Sequence, residues 1–401
     1  MIELVVPAIW IIVMIIGLGQ LSETVYTPSL PEIARALSVS ESMVEHTLTI
    51  YLFSFALGML FWGTLSDKIG RKPCILVGLV IFILGTMICF ISGLSSSITI
   101  LMIGRFIQAF GASTGSVIGQ AICRDVFQGQ KLGMAYSSIG TALAVFPAVG
   151  PFVGGYISES FGWNAIFLFL ILFAMLSIGM IIRNLPETHH EEKRQQISLI
   201  AVCWSLLKDR KVMAYTLIIA GCNGIAFSYF AEGAFYLIQF LGLSPSQYGS
   251  SFIFLAAFTM LGGMTSKQLH VNHSTQKIMG YGIAIMVAGT ALFTTLIMFN
   301  MLVGLPNSVL ICIVLGCHMI TIFGLRMVIS TGLALGLVDY TWCIGTASSF
   351  FGFAYYCVTS VFTLGMGILH NGSLLPMPLY FLAISLFMYV VNDKLLNKIK
   401  A

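Results

Sequence analysis

Five ionisable side chains interrupt segments of the chain that are otherwise largely apolar. They are Glu23, Arg105, Glu232, His318 and Arg326. A charged side chain at the centre of a bilayer costs about 2.5–3.5 kcal/mol to insert, so such a residue usually faces a cavity or a partner. These positions therefore indicate where a membrane protein with this sequence would do its chemistry.

Both acids share a helix face with tyrosine rings. Tyr26 follows Glu23 by three residues, and Tyr229 and Tyr236 flank Glu232 at three residues before and four after. Residues at these spacings are neighbours on a helix surface. A face with a carboxylate and aromatic rings suits an apolar or cationic ligand, held by stacking and cation–π contact. The candidates for lining a substrate cavity are Tyr26, Gln108, Tyr229 and Tyr236.

The same charged residues are candidates for handling protons. Desolvation favours the protonated form of a carboxyl group and a nearby arginine favours the charged form, so Glu23 would gain and lose a proton during a cycle. Two other roles stay open for Glu23: a static pair with Arg105, or a solvated position at the interface. Glu232 is interpreted in the same way. His318 would relay protons or hold a structural hydrogen bond, and Arg326 would extend its charge to the membrane surface.

The elements that position these residues are predicted from composition and apolar runs. Of the 401 residues, 58% are hydrophobic and 8% are charged, which exceeds what the interior of a soluble fold accommodates. A bilayer core requires roughly 20 apolar residues per helix. The predicted fold is an all-α integral membrane protein with twelve transmembrane helices, at residues 5–27, 43–62, 74–92, 98–121, 132–156, 163–183, 212–238, 248–266, 278–299, 307–330, 342–368 and 375–392.

Charge distribution predicts the division and orientation of the chain. All of the 19 lysine and arginine residues except Arg35, Arg105 and Arg326 fall in alternate loops, in a charged segment at 185–211, or in the C-terminal tail. This asymmetry places both termini in the cytoplasm. The charged segment is interpreted as a cytoplasmic linker between two six-helix bundles. The bundles are residues 1–184 and 212–401, and faint similarity between them suggests a repeated transporter architecture.

A short polar sequence, GTLSDKIGRKP, joins the second and third predicted spans. Gly63 allows close approach of helices, and Gly70 permits a tight turn between two helix ends. Asp67 lies among the cations Arg71 and Lys72, where it would form ion pairs or cap a helix.

A second motif, PAVGPFVGG, lies in the fifth predicted span. Gly150, Gly154 and Gly155 present a flat surface to another helix, and Pro151 removes one backbone hydrogen bond and kinks the span. Close packing of this span against a neighbour is therefore expected.

These motifs, together with RFIQAFGASTG at 105–115, LPET at 185–188 and GTASSFFGF at 345–353, resemble those of the major facilitator superfamily and of its Bcr/CflA drug-resistance group. The resemblance covers essentially the whole chain. It implies that spans 1, 4, 7 and 10 line a central cavity, that the loop containing Asp67 controls conformational switching, and that PAVGPFVGG is an antiporter motif. Many members of the group carry an acid at the position of Thr24, whereas here the acid is its neighbour Glu23.

The resulting prediction is a proton-coupled secondary transporter that exports small amphipathic molecules by alternating access across a bacterial inner membrane. An exporter of a specific metabolite or siderophore, or a proton-coupled importer, stays open as an alternative. No catalytic constellation, nucleotide-binding motif or metal-ligand spacing stands out, so we expect no enzyme activity, no cofactor and no metal. The expected partners are a small-molecule substrate, protons and the lipid bilayer, without nucleic acid, and the chain is expected to be monomeric.

Overall fold

A computed structural model describes residues 8–127, 145–188 and 199–397, together with residues 131, 134, 135 and 139. These residues form an all-helical protein. The helices are α1 (Ile9–Thr24), α2 (Leu30–Ala36), α3 (Glu41–Ile69), α4 (Arg71–Ser95), α5 (Ile98–Val126), α6 (Phe146–Phe161), α7 (Ala165–Asn184), α8 (Leu199–Lys208), α9 (Arg210–Ala234), α10 (Pro245–Leu269), α11 (Thr275–Val303), α12 (Asn307–Gly336), α13 (Ile344–Leu369) and α14 (Pro376–Val391).

Most of these helices have the length and composition of membrane spans. Within the described residues, ten helices are long and apolar enough to cross a bilayer. Helix α5, which contains Arg105, and helix α6, which has 16 residues, are not among the ten. The first part of the predicted fifth span, 132–156, lies largely outside the described residues. The number of twelve spans and the cytoplasmic location of the termini therefore stay predictions.

Small residues allow neighbouring helices to approach closely. Helices α4 and α5 pack along their length. A β-carbon added at Gly85, Gly104 or Gly111 would collide with the backbone of the facing helix. Close backbone approach at small residues is the usual packing mode in membranes, where lipid offers no hydrophobic driving force between helices.

Two helix pairs join the part of the chain before residue 185 to the part after residue 208. Helix α3 packs against α13, and α6 packs against α10. In the second pair the backbones touch, because a β-carbon added at Gly155 would collide with Pro245 and one at Gly249 would collide with Pro151. Of these four helices, α6, α10 and α13 also line the candidate site.

Two helices are irregular next to a buried acid. Helix α1 ends at Thr24 and continues through a 3₁₀ turn at Thr27–Ser29, which contains Pro28. Helix α9 continues as a π-helical turn at Phe235–Phe240, just after Glu232. Such departures from regular α-helix often occur at functional positions.

The predicted linker at 185–211 contains a helix. Helix α8 lies within it, whereas residues 189–198 are outside the described part of the chain. Val202 and Leu206 are buried on one face of α8. The apolar face of an amphipathic helix accounts for this arrangement.

Candidate functional site

A cavity of about 410 Å³ lies among helices α1, α5, α6, α9, α10, α12 and α13. On α12 the lining residues follow one helix face, at His318, Ile322, Leu325, Ile329 and Leu333. At 1.5 Å per residue this face extends about 22 Å along the helix. A long, mostly apolar wall with a few polar groups is typical of a site for small molecules.

Glu23 contributes a carboxylate to the cavity wall. It lies one residue before the end of α1 and is only 3% exposed. The hydroxyl of Tyr356 on α13 donates a long hydrogen bond of 3.5 Å to its Oε1 atom, and Tyr355 lines the cavity beside it. The structure therefore brings the acid of the first predicted span against tyrosines of the eleventh.

Arg105 is fully buried between two aromatic rings rather than on the cavity wall. The carbon atom at the centre of its guanidinium lies 4.0 Å from the ring centroid of Tyr26 and 4.1 Å from that of Tyr51. Cation–π contacts of this kind stabilise a buried cation by about 0.5–2 kcal/mol each. Tyr26 is thus placed beside Arg105, and it is not among the residues that line the cavity.

Hydrogen bonds connect Arg105 to the backbone of α1. Its Nη1 atom donates to the carbonyl oxygen of Ser22 at 3.1 Å and to Oε1 of Gln108 at 2.5 Å. The Gln108 amide in turn donates to Thr86 at 2.9 Å. Arg105 and Glu23, both within the described residues, do not form an ion pair within 4.0 Å. The arginine instead positions the chain next to Glu23, through Ser22.

His318 and Tyr229 form a stacked pair on the cavity wall. Their ring centroids are 3.6 Å apart and the rings are nearly parallel, at 15°. His318 is 2% exposed, and among the described residues its Nδ1 atom has no hydrogen-bond partner. Arg326 also lines the cavity, about two helical turns after His318 on α12. The wall therefore carries an imidazole and a guanidinium in addition to the Glu23 carboxylate.

Glu232 lies in a separate cluster, at the end of the protein where α3 begins and α9 and α13 end. We refer to this end as the predicted outer end. The Nδ1 atom of His370, just after α13, lies 2.8 Å from the Glu232 carboxylate, and its Nε2 atom lies 2.5 Å from Glu41. Burial lowers the pKa of His370, but the hydrogen bond and charge of Glu232 and the charge of Glu41 outweigh burial and raise it above its ordinary value. Tyr236 donates to the Leu374 carbonyl oxygen nearby.

The loop between α3 and α4 is held by Arg71. Its Nη1 atom lies 2.6 Å from the Asp67 carboxylate, and its Nε atom lies 2.9 Å from that of Asp125 at the end of α5. The neighbouring Lys72 donates to the Ile182 carbonyl oxygen at 3.0 Å. On α3, Gly63 faces α13, where an added β-carbon would lie 2.5 Å from the Ser349 hydroxyl. Arg71 and Lys72 thus tie this loop to α5 and α7.

Glu187 caps the start of α4. Its two carboxylate oxygens accept hydrogen bonds from the backbone N–H groups of Arg71 and Lys72, at 2.9 and 3.0 Å. An anion at this position is favoured by the unpaired N–H groups of the helix start. Gly70 has a φ of +104°, and a β-carbon there would lie 2.7 Å from the Glu187 carboxylate. A glycine is therefore required for this cap to form.

The glycines of α6 lie at two helix contacts. β-Carbons added at Gly150 and Gly154 would collide with Thr24 and with the Val25 carbonyl oxygen, which follow Glu23 in the chain. Gly155 faces α10 instead. Pro151 lies inside the helix. Helix α6 therefore packs directly against the segment of α1 that carries Glu23.

Several of these residues were not singled out by sequence reasoning. Tyr356 lies in an aromatic segment without a charge to mark it, and Glu187 belongs to a motif that indicated a family rather than a role. Glu45, near the start of α3, is 1% exposed. His370 lies in a short loop. The group of ionisable residues at Glu41, Glu45 and His46 is the only feature of the sequence that could have marked a buried group near the start of α3.

Comparison with known proteins identifies relatives that match from about half to most of the chain. Residues 10–364 match the Major Facilitator Superfamily. An uncharacterized transporter of Rickettsia felis is 35% identical over 91% of this chain and 90% of its own length. The bicyclomycin resistance protein homolog of Haemophilus influenzae is 34% identical over 57% of each chain, and multidrug resistance protein D of Escherichia coli is 32% identical over 44% of each.

The fold also matches a solved structure. The crystal structure of a D-xylose–proton symporter superposes with a TM-score of 0.74, covering 95% of this chain and 96% of the symporter. The sequence identity is 14%, so this likeness concerns the fold alone.

Proposed function

The chain belongs to the Major Facilitator Superfamily, and on that premise we propose that this transporter exports small amphipathic molecules in exchange for protons. Relatives named as bicyclomycin and multidrug resistance proteins support an export role. We propose a bacterial inner membrane as its location, because the relatives are bacterial proteins, and a monomer as the working unit. The substrate would occupy the cavity of about 410 Å³, whose wall is mainly apolar and aromatic.

The observation that carries this proposal is the position of Glu23. A buried carboxylate is costly unless it is protonated or paired with a cation. Glu23 lies on the cavity wall, and Arg105 makes cation–π contacts and hydrogen bonds through Nη1 but no ion pair with this acid. A proton and a cationic substrate would therefore compete for the Glu23 carboxylate. Competition for one group is sufficient to couple export of the substrate to entry of a proton.

Alternating access requires two parts of the protein to move relative to each other. We propose residues 1–184 and 212–401 as the two moving bundles, joined by the linker at 185–211. The contacts of α3 with α13 and of α6 with α10 would be the surfaces that rearrange. Ion pairs of Asp67 and Asp125 with Arg71 would bias the equilibrium between the inward-facing and outward-facing states of the transporter. They would do so without contacting the substrate.

The test is proton release from purified protein when a lipophilic cation, tetraphenylphosphonium, binds. We expect the wild type to release protons and Glu23→Gln, which keeps the side-chain shape, to release few or none. Export of the same cation by inverted membrane vesicles should then lose its dependence on the pH gradient. The matched control is Glu232→Gln, the same substitution at a buried acid outside the cavity, which should keep most of the release.

The outcome discriminates between the two acids. Wild-type proton release from Glu23→Gln would contradict the assignment of Glu23 as the coupling group. Loss of release in Glu232→Gln alone would transfer the coupling role to the cluster at the predicted outer end. Absence of any pH-gradient dependence in the wild type would contradict proton-coupled export itself.

A further inference from the structure

Three helices bring metal-ligating side chains together at the predicted outer end. Glu45 comes from α3, Glu232 from α9, and His370 follows α13. One potential ligand atom from each residue lies within 4.8 Å of those from the other two. The three residues are far apart in sequence, so only the packing of α3 against α9 and α13 brings them together.

The carboxylate of Glu45 points to a ligand at this cluster. Glu45 is 1% exposed, and among the described residues neither of its carboxylate oxygens has a hydrogen-bond partner. A buried carboxylate without partners is strongly unfavourable. It faces Glu232, a second buried acid, so the two carboxyl groups repel each other unless they share a proton or hold a cation between them.

His370 is oriented so that Nδ1 could bind a metal after losing its proton. Its Nε2 atom is held by the Glu41 carboxylate at 2.5 Å, and its Nδ1 atom is hydrogen-bonded to Glu232 at 2.8 Å, a contact that a bound ion would replace. A histidine that binds a metal through one ring nitrogen usually donates the other N–H group to a carboxylate, which fixes its orientation. Glu41 occupies that orienting position.

A surface recess gives the cluster a route to the solution. The recess has a volume of about 500 Å³ and reaches the cluster at Glu41 and His370. Gln239 donates to Glu41 at its edge, and Arg35 also lines it. An ion would thus reach His370 without passing through the substrate cavity.

We propose that Glu45, Glu232 and His370 form a binding site for a divalent transition-metal ion of the zinc class. Two carboxylates and one neutral imidazole balance the charge of such an ion, and a histidine nitrogen favours zinc over magnesium or calcium, which prefer oxygen ligands. The absence of metal-ligand spacing in the sequence predicted no metal, because these ligands come from separate helices.

Occupation of this site would hold the predicted outer end closed. The ion would join α3 to α9 and α13, and Ser42 already donates to the Gly367 carbonyl oxygen at 2.6 Å across the same contact. Separation of α3 from α13 would remove ligands from the ion. Metal binding would therefore favour the state in which the predicted outer end is closed, independently of what the transporter exports.

The test is titration of the purified full-length protein with Zn²⁺ by calorimetry, and with Co²⁺ by visible absorption, at a fixed neutral pH. We expect one equivalent to bind to the wild type, with a Co²⁺ spectrum that reports a nitrogen ligand and low coordination number. Glu45→Gln and His370→Gln should each abolish binding, and Glu41→Gln should weaken it by about 10- to 100-fold. The matched control is His46→Gln, next to Glu45 on α3 but outside the cluster, which should bind as the wild type does.

The proposal is overturned if the wild type binds neither ion, or if Glu45→Gln and His370→Gln bind them normally. A cluster that takes up only protons would give the first of these results. Size-exclusion profiles identify any variant that fails to fold, and the other ligand substitution then decides the question. Binding is measured without transport, so failure of this site and failure of proton-coupled export are separate results.

Discussion

Replacing Gly154 by alanine tests whether α6 positions the acid of the candidate site. A methyl group at Gly154 would lie inside the contact distance of the Val25 carbonyl oxygen, two residues after Glu23. The backbone of α1 must therefore move away from α6 to accommodate it. Gly179 on α7 provides a matched control, because an added β-carbon there has no neighbouring atom within 4 Å among the described residues.

The expected difference between the two variants follows from opposing effects. Alanine is favoured over glycine inside a helix by about 1 kcal/mol, which should stabilise Gly179→Ala by up to that amount. Gly154→Ala gains the same preference but incurs the cost of overpacking, about 1–3 kcal/mol. The free energies of unfolding of the two variants should therefore differ by about 1–3 kcal/mol, with Gly154→Ala the less stable.

The measurements are thermal unfolding of both variants in one detergent and proton-driven export in inverted vesicles. Because the displaced segment carries Glu23, Gly154→Ala should reduce export on the order of 10-fold or more, whereas Gly179→Ala should export at the wild-type rate. If the two variants have the same unfolding midpoint and the same export rate, the contact between α6 and α1 does not position Glu23.

Two further predictions concern charged residues outside the cavity wall. Asp67→Asn removes one of the two ion pairs of Arg71; because Asp67 is partly exposed, we expect a shift of about 0.2–1 kcal/mol between facing states. Transport should slow while the affinity for tetraphenylphosphonium, measured in a single locked conformation, stays unchanged, and a large loss of affinity would contradict this role. Arg105→Lys keeps the charge but loses the planar stacking on Tyr26 and the hydrogen bond to Gln108; we expect a loss of about 2–4 kcal/mol in stability. A wild-type unfolding midpoint for this variant would show that the flat guanidinium is not required.

The sequence alone determined the properties that depend on composition and local spacing. Long apolar runs require a bilayer, and ten described helices have the length and composition that such runs predict. The glycine spacing at 150–155 predicted a surface for close helix packing. The structure places a neighbouring backbone against Gly154 and Gly155, and the Thr24 side chain against Gly150. Lone charges in apolar segments predicted residues that face a cavity or a partner, because burial of an isolated charge is costly.

Only the tertiary structure decided which partner each of these charges has. The sequence favoured a cavity position for Glu23 but left an ion pair with Arg105 open. Helix rotation places it on the cavity wall against Tyr356, 333 residues away in the chain. His370 and Glu232, 138 residues apart, meet because α13 and α9 pack side by side. Such contacts depend on the relative rotation and depth of whole helices. Those are set by packing over many residues and leave no mark in the spacing of any single segment.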